Sequence, residues 1–177
     1  MSPTRNPILR RFAAAAIDWS LVALWAGGLF LVASKHTSHW FQSSAASAEL
    51  SGFLALTLPL GIYLVFSEAV YGATLGKKLL HLSVSASYAD RPTLSQVCLR
   101  NILKLTPWEL AHFSIWHSFV FPHNTLAAAG YFTLICSYLL AGIYLYGLCR
   151  SNGRPLYDVL AGTEVTFHPR ILPSKPS

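Results

Sequence analysis

The stretch RRFAAAAIDWSLVALWAGGLFLVAS, residues 10–34, decides the fold. Arg10 and Arg11 open it, and apart from Asp18 the run that follows is uncharged. About 20 predominantly apolar residues are enough for a helix to cross the hydrocarbon core of a bilayer. Residues 12–34 meet that length, with the arginines placed to meet headgroups at one end. A cleaved leader, with Ala46-Ser47-Ala48 as its cut site, fits less well, because its apolar core usually runs only about 7–15 residues. Asp18 is the discordant residue: an uncharged side chain would insert at lower cost.

The rest of the composition agrees with a membrane chain. Hydrophobic residues make up 53% of the sequence, charged residues 11%, and mean hydropathy is +0.44. A soluble domain carries about 25% charge, so a water-facing surface could not be covered here. The net charge of +6 sits in clusters beside apolar runs. That pattern suits orientation in a membrane and contact with lipid headgroups, and it lacks the basic stripe that nucleic acid requires. Cys98, Cys136 and Cys149 are odd in number and unrelated in spacing, which supports neither a disulfide framework nor a metal site. No cofactor motif, nucleophilic triad or serine elbow is visible, and an enzyme is not expected.

Residues 12–34, 52–71 and 125–149 read as spans. Residues 105–121 form a shorter fourth candidate, interrupted by Pro107, Glu109, His112 and His117. Basic residues gather in the N-terminal tail, in the loop after the second span (Lys77, Lys78, Arg91, Arg100, Lys104) and in the C-terminal tail. Four crossings put all three clusters on the cytoplasmic side, as the positive-inside rule prefers. The alternative is three spans plus one interfacial or re-entrant segment. The expected fold is therefore an all-α integral membrane bundle of a bacterial inner membrane with both termini cytoplasmic. It divides into a cytoplasmic tail (1–9), a transmembrane domain (10–168) and a C-terminal tail (169–177). Inside the loop, TLSQVCLRNILKL is expected to lie as an interfacial amphipathic helix with Arg100 and Lys104 off its apolar face. LLHLSVSAS and GTEVTFHP read as two short strands that can pair as a small cytoplasmic β-ribbon.

Four stretches, taken in order, carry a resemblance: RFAAAAID, with Arg11 seven residues before Asp18; GATLGKKLLHLSV; LRNILKLTPWEL; and RPLYDVLAGTEV. Together they resemble the RDD family of small membrane proteins, named for one arginine and two aspartates, from about Arg10 to Val165. Arg11, Asp18 and Asp158 match those three positions, and Tyr157 stands where the family often has His. The resemblance implies a membrane protein. Some members are linked to cation/proton exchange and others to assembly.

The four-pass topology gathers Asp18, Glu68, Glu109 and His112 in the cytoplasmic half as one inward-facing pocket. Seven residues along a helix rise about 10.5 Å, and helical side chains lean toward the N-terminus, so Arg11 points away from Asp18. Asp158 is then its expected salt-bridge partner, and Asp18 needs another partner, a proton or a cation. Ion or proton binding by Arg11, Asp18, Glu68, Glu109, His112 and Asp158 is one reading of these groups. A buried network that only fixes helix register is the other. GATLGKK fails the phosphate-loop spacing, and its lysines are expected on headgroups. Glu109 and His112 have i, i+3 spacing but are too few for a metal site. Ala23 and Gly27 offer a small-residue face for close helix packing.

Two functions follow. One is exchange of monovalent cations for protons through the cytoplasm-facing carboxylates, which requires a polar path bringing His117 toward Asp18. The other is a non-catalytic membrane interaction or assembly subunit, with a homo-oligomer or another membrane protein as partner, which requires an open small-residue face.

Overall fold

A computed structural model describes residues 7–36, 44–123, 125–150 and 153–167. The expected C-terminal tail and most of the N-terminal one lie outside these. Helix α1 is Pro7–His36. Helix α2 is Ala45–Tyr71, π-widened at Phe53–Thr57. A short helix α3 (Leu75–Leu79) and strand β1 (Leu82–Ala86) follow. Helix α4 is Leu94–Ser114 and continues, π-widened, through Ile115–Val120. Helix α5 is Ala127–Cys149, α6 is Leu156–Ala161, and strand β2 is Thr163–Phe167. Three stretches are long and apolar enough to cross a membrane: Ile8–Val32, Ala45–Tyr71 and Ala127–Cys149.

The local signals that start and stop these elements are plain in the sequence. Ser44 and Thr93 cap α2 and α4 with reciprocal capping boxes. Gly72, at φ 70°, ends α2 in the left-handed conformation that a side chain resists. The two expected strands do pair, antiparallel, from Leu82 opposite Phe167 to Ala86 opposite Thr163. They form the ribbon end of the molecule.

The helices run antiparallel in sequence, as their cross-contacts show. Trp25 reaches Ala55 and Asp18 reaches Tyr63. Arg100 meets Glu68, Thr57 meets Glu109, and Glu49 meets His117. Helix α4 therefore lies beside α2 over nearly its whole length and does not turn back. This corrects the expectation of a separate interfacial helix followed by an interrupted segment. Pro107 does not break α4, because the carbonyl it strands is used elsewhere. A proline has no N–H to give the carbonyl four residues earlier. Here that carbonyl is Leu103, and the Tyr144 hydroxyl donates to it at 2.8 Å. Pro59 in α2 behaves alike: the Trp25 indole donates to Ala55 at 2.8 Å. In hydrocarbon such replacement donors allow a proline inside a helix.

Burial is inverted relative to a soluble protein. Leu24, Phe30, Phe132 and Tyr138 are exposed, while Arg100, Glu68, Asn101, Thr74 and Asp158 rank among the most buried side chains. Lipid solvates the apolar exterior, and the polar groups need one another.

Candidate functional site

Glu68, in the last turn of α2, is the hub of the ribbon end. The Arg100 guanidinium donates through Nη1 to both Glu68 oxygens at 2.6 Å. Through Nε it donates to Asp158 Oδ1, also at 2.6 Å. Asn101 adds a bond to Glu68 Oε2 at 2.9 Å, and the Lys77 ammonium bonds Oε1. Asp158 Oδ1 also accepts from the Thr163 hydroxyl at 2.8 Å. Two carboxylates thus face two cations, and α2, α3, α4 and α6 are tied through one cluster. The Tyr157 ring faces the Arg100 guanidinium at 5.5 Å. Burial pushes the Tyr157 hydroxyl up to about 12. Burial, aided by repulsion from Arg100, pulls the Lys77 ammonium down to about 8 against the attraction of Glu68.

Asp18 makes a second tie, between α1 and α3. Its Oδ2 accepts from the Thr74 hydroxyl at 2.6 Å. Its Oδ1 accepts from the Gly76 amide at 2.9 Å and from the Tyr63 hydroxyl at 3.2 Å. The Tyr63 oxygen in turn accepts the Leu75 amide at 3.0 Å. Thr74 is the residue that should cap α3, yet its side chain makes no cap bond because the hydroxyl is turned to Asp18. A carboxylate from a neighbouring helix therefore does the capping, where the helix dipole favours negative charge. The approach is so close that a Cβ on Gly76 would stand 2.1 Å from the Ala14 carbonyl oxygen.

Arg11 makes the third tie. It donates to the Val165 carbonyl at 2.6 Å and to the Gly153 carbonyl, fastening the start of α1 to β2 and to the loop before α6. The expected Arg11–Asp158 bridge is not formed; Arg100 takes Asp158 instead. Depth explains the exchange. Arg100 sits six residues into α4, level with the last turn of α2, and has a rigid helix to aim it. Two further expectations are corrected. Lys77 is buried on Glu68, and only Lys78 stays at the surface, over the Tyr71 ring at 4.0 Å. Arg100 lies in the core, 1% exposed, and not on a solvated helix face.

The three acids and the histidine expected in one pocket divide among three places. Asp18 and Glu68 occupy separate ties. Glu109 and His112 lie nine and twelve residues beyond Arg100, and nine residues rise about 13.5 Å. There Glu109 Oε1 accepts from Thr57 at 2.5 Å, and His112 Nδ1 stands 3.5 Å from it. His117 bonds Glu49 at 3.0 Å and stacks on Phe113, at the far end of α2 from Glu68. Sequence reasoning missed Arg100, Lys77, Asn101, Tyr63 and Thr74. For Arg100 a signal existed: Glu68 needed a cation at its own depth, and Arg100 is the arginine that the next long helix carries to that level.

These ties predict a difference between two double-mutant cycles, measured by unfolding in detergent. Arg100→Met with Asp158→Asn is expected to show a coupling energy of about 1–3 kcal/mol, as for residues in direct contact. Arg11→Met with Asp158→Asn is expected to show a clearly smaller one. Equal couplings, or the reverse order, would contradict the assignment.

No curated protein and no solved structure matches the chain. Residues 5–162, which take in α1 through α6, do match a known sequence profile, that of the RDD family, and the chain belongs to that family.

Proposed function

We propose that this chain is a non-catalytic interaction subunit of the membrane, a four-pass bundle with its ribbon end in the cytoplasm. One observation carries the reading: Arg11, Asp18 and Asp158 are all spent on bonds within the chain, where they fasten α1, α3 and α6. The remaining lateral surface is apolar over most of its extent, with Leu24, Phe30, Phe132 and Leu139 among its exposed side chains. Ala23 and Gly27 are exposed on α1, and a Cβ added at Gly27 would meet nothing within 4 Å. Small residues left open in this way let another helix approach closely. His117 is bonded to Glu49, away from the bonds of Asp18, so the polar path that exchange requires has no support at that point. The four-pass topology is favoured by α4, which matches α2 in depth, and by the three basic clusters.

A second reading, exchange of a monovalent cation for a proton, draws on one feature. Glu68 and Asp158 have basic partners, whereas Asp18 is bonded by neutral donors alone among the described residues. Proteoliposomes separate the two readings. Under the interaction reading, a pH gradient drives no sodium or potassium flux through the purified protein. Cysteines at positions 23 and 27, in a background without the native cysteines, should crosslink in native membranes, while one at Val22, which faces α2, should not. Coupled flux that disappears in Asp18→Asn would replace this reading with the second.

A further inference from the structure

Between α2 and α4 runs an open groove of about 1030 Å³, bordered from Glu49 to Val70 on α2. The 21 steps between them rise about 32 Å. The hydrocarbon core of a bilayer is about 30 Å thick, so the groove is as long as that core is thick, more than a single lipid could fill. Its lining is almost wholly apolar, and its charged members are two acids, Glu49 and Glu109, with no cation. Glu49 stands near the start of α2 and is bonded to His117. Glu109 stands opposite Thr57, near the middle of α2. Thr57 donates to its Oε1 and His112 Nδ1 stands 3.5 Å from that same oxygen, while none of the described residues donates to its Oε2, and its side chain stays 31% exposed. An ionised carboxylate at that depth is costly unless a partner meets it.

We propose that the groove receives a transmembrane helix of another protein, and that this helix presents a basic side chain to Glu109 at mid-depth. Length fits a helix, and charge fits a cation. A second copy of this chain fits poorly, because α1 carries no Lys or Arg between Arg11 and Lys35 at its two ends, and α2 and α5 carry none, so none of these helices offers a cation at mid-depth. The inference rests on the interaction reading above and names the partner's chemistry.

The test uses the full chain, fluorescently labelled, in phosphatidylcholine vesicles with labelled synthetic peptides. One peptide is a poly-leucine span with a single central lysine. The controls are the same span without lysine and with the lysine moved to one end. Energy transfer is expected to report at least tenfold tighter association of the central-lysine peptide, and Glu109→Gln is expected to abolish the preference. Gln keeps an acceptor for Thr57, and an unchanged melting temperature would show that the bundle is intact. Glu49→Gln should leave the preference in place. Equal binding of all three peptides, or a preference that survives Glu109→Gln, would overturn the proposal. So would saturable binding of tetraphenylphosphonium that needs Glu109 when no peptide binds, since the groove would then be a small-cation site. Peptide failure without coupled flux removes only this inference, whereas coupled flux removes the reading beneath it.

Discussion

Arg100→Met is expected to destabilise the bundle by about 3–5 kcal/mol, the cost of leaving a buried ionic partner uncompensated. The guanidinium reaches Glu68 through Nη1 and Asp158 through Nε, so one substitution strands two acids. Lys77 remains on Glu68 and holds part of that site, but among the described residues Asp158 keeps only the Thr163 side chain. Arg100→Lys should recover only part of the loss, because a single ammonium cannot present two donors in the fixed fork that the arginine uses. Reversible unfolding in mixed micelles gives the measurement. A loss under about 1 kcal/mol for Arg100→Met would mean that the cluster is solvated and contributes as a surface ion pair does.

Gly76→Ala is expected to cost about 3 kcal/mol, at the upper end of overpacking penalties. The added methyl would lie 2.1 Å from a backbone carbonyl, and backbone cannot swing aside as a side chain can. Helix α3 must then move off α1, and the Asp18 bonds to Thr74 and Gly76 go with it. Gly72→Ala is the informative comparison. Its Cβ would meet nothing within 4 Å, so only the φ of 70° is strained and the loss should be about 1 kcal/mol. Equal losses for the two variants would show that backbone conformation, and not the close approach to Ala14, is what Gly76 supplies.

Much of this was legible in the residues. The length and charge of 10–34 and the paired strands both gave correct elements, because each rests on a local rule. Two kinds of feature were not legible. Pro107 read as an interruption, since the donor that repairs α4 there is a tyrosine 37 positions later on another helix. Lys77 reads as headgroup-facing and Arg100 as lying off the apolar face of an interfacial helix, since a lone cation near an apolar run looks the same whether it snorkels or turns inward. Only the depth of its acid partner on a different helix decides between them. The pairing of Arg11 with Asp158 failed for a related reason. Both do lie at the ribbon end, but side and depth do not choose between two arginines, and α4 aims Arg100 more directly.

The place of Asp18 in an apolar run has a physical explanation on this account. It caps α3 from across the bundle, so that the loop after α2 is held against α1. The most direct test is hydrogen exchange of the Gly76 amide in the wild type and in Asp18→Ala, followed residue by residue. Loss of a cap typically costs about 1 kcal/mol. The Gly76 amide is therefore expected to exchange about five- to tenfold faster in the variant, while the amides of the β-ribbon keep their wild-type rates. A Gly76 amide that exchanges at the same rate in both proteins would contradict it.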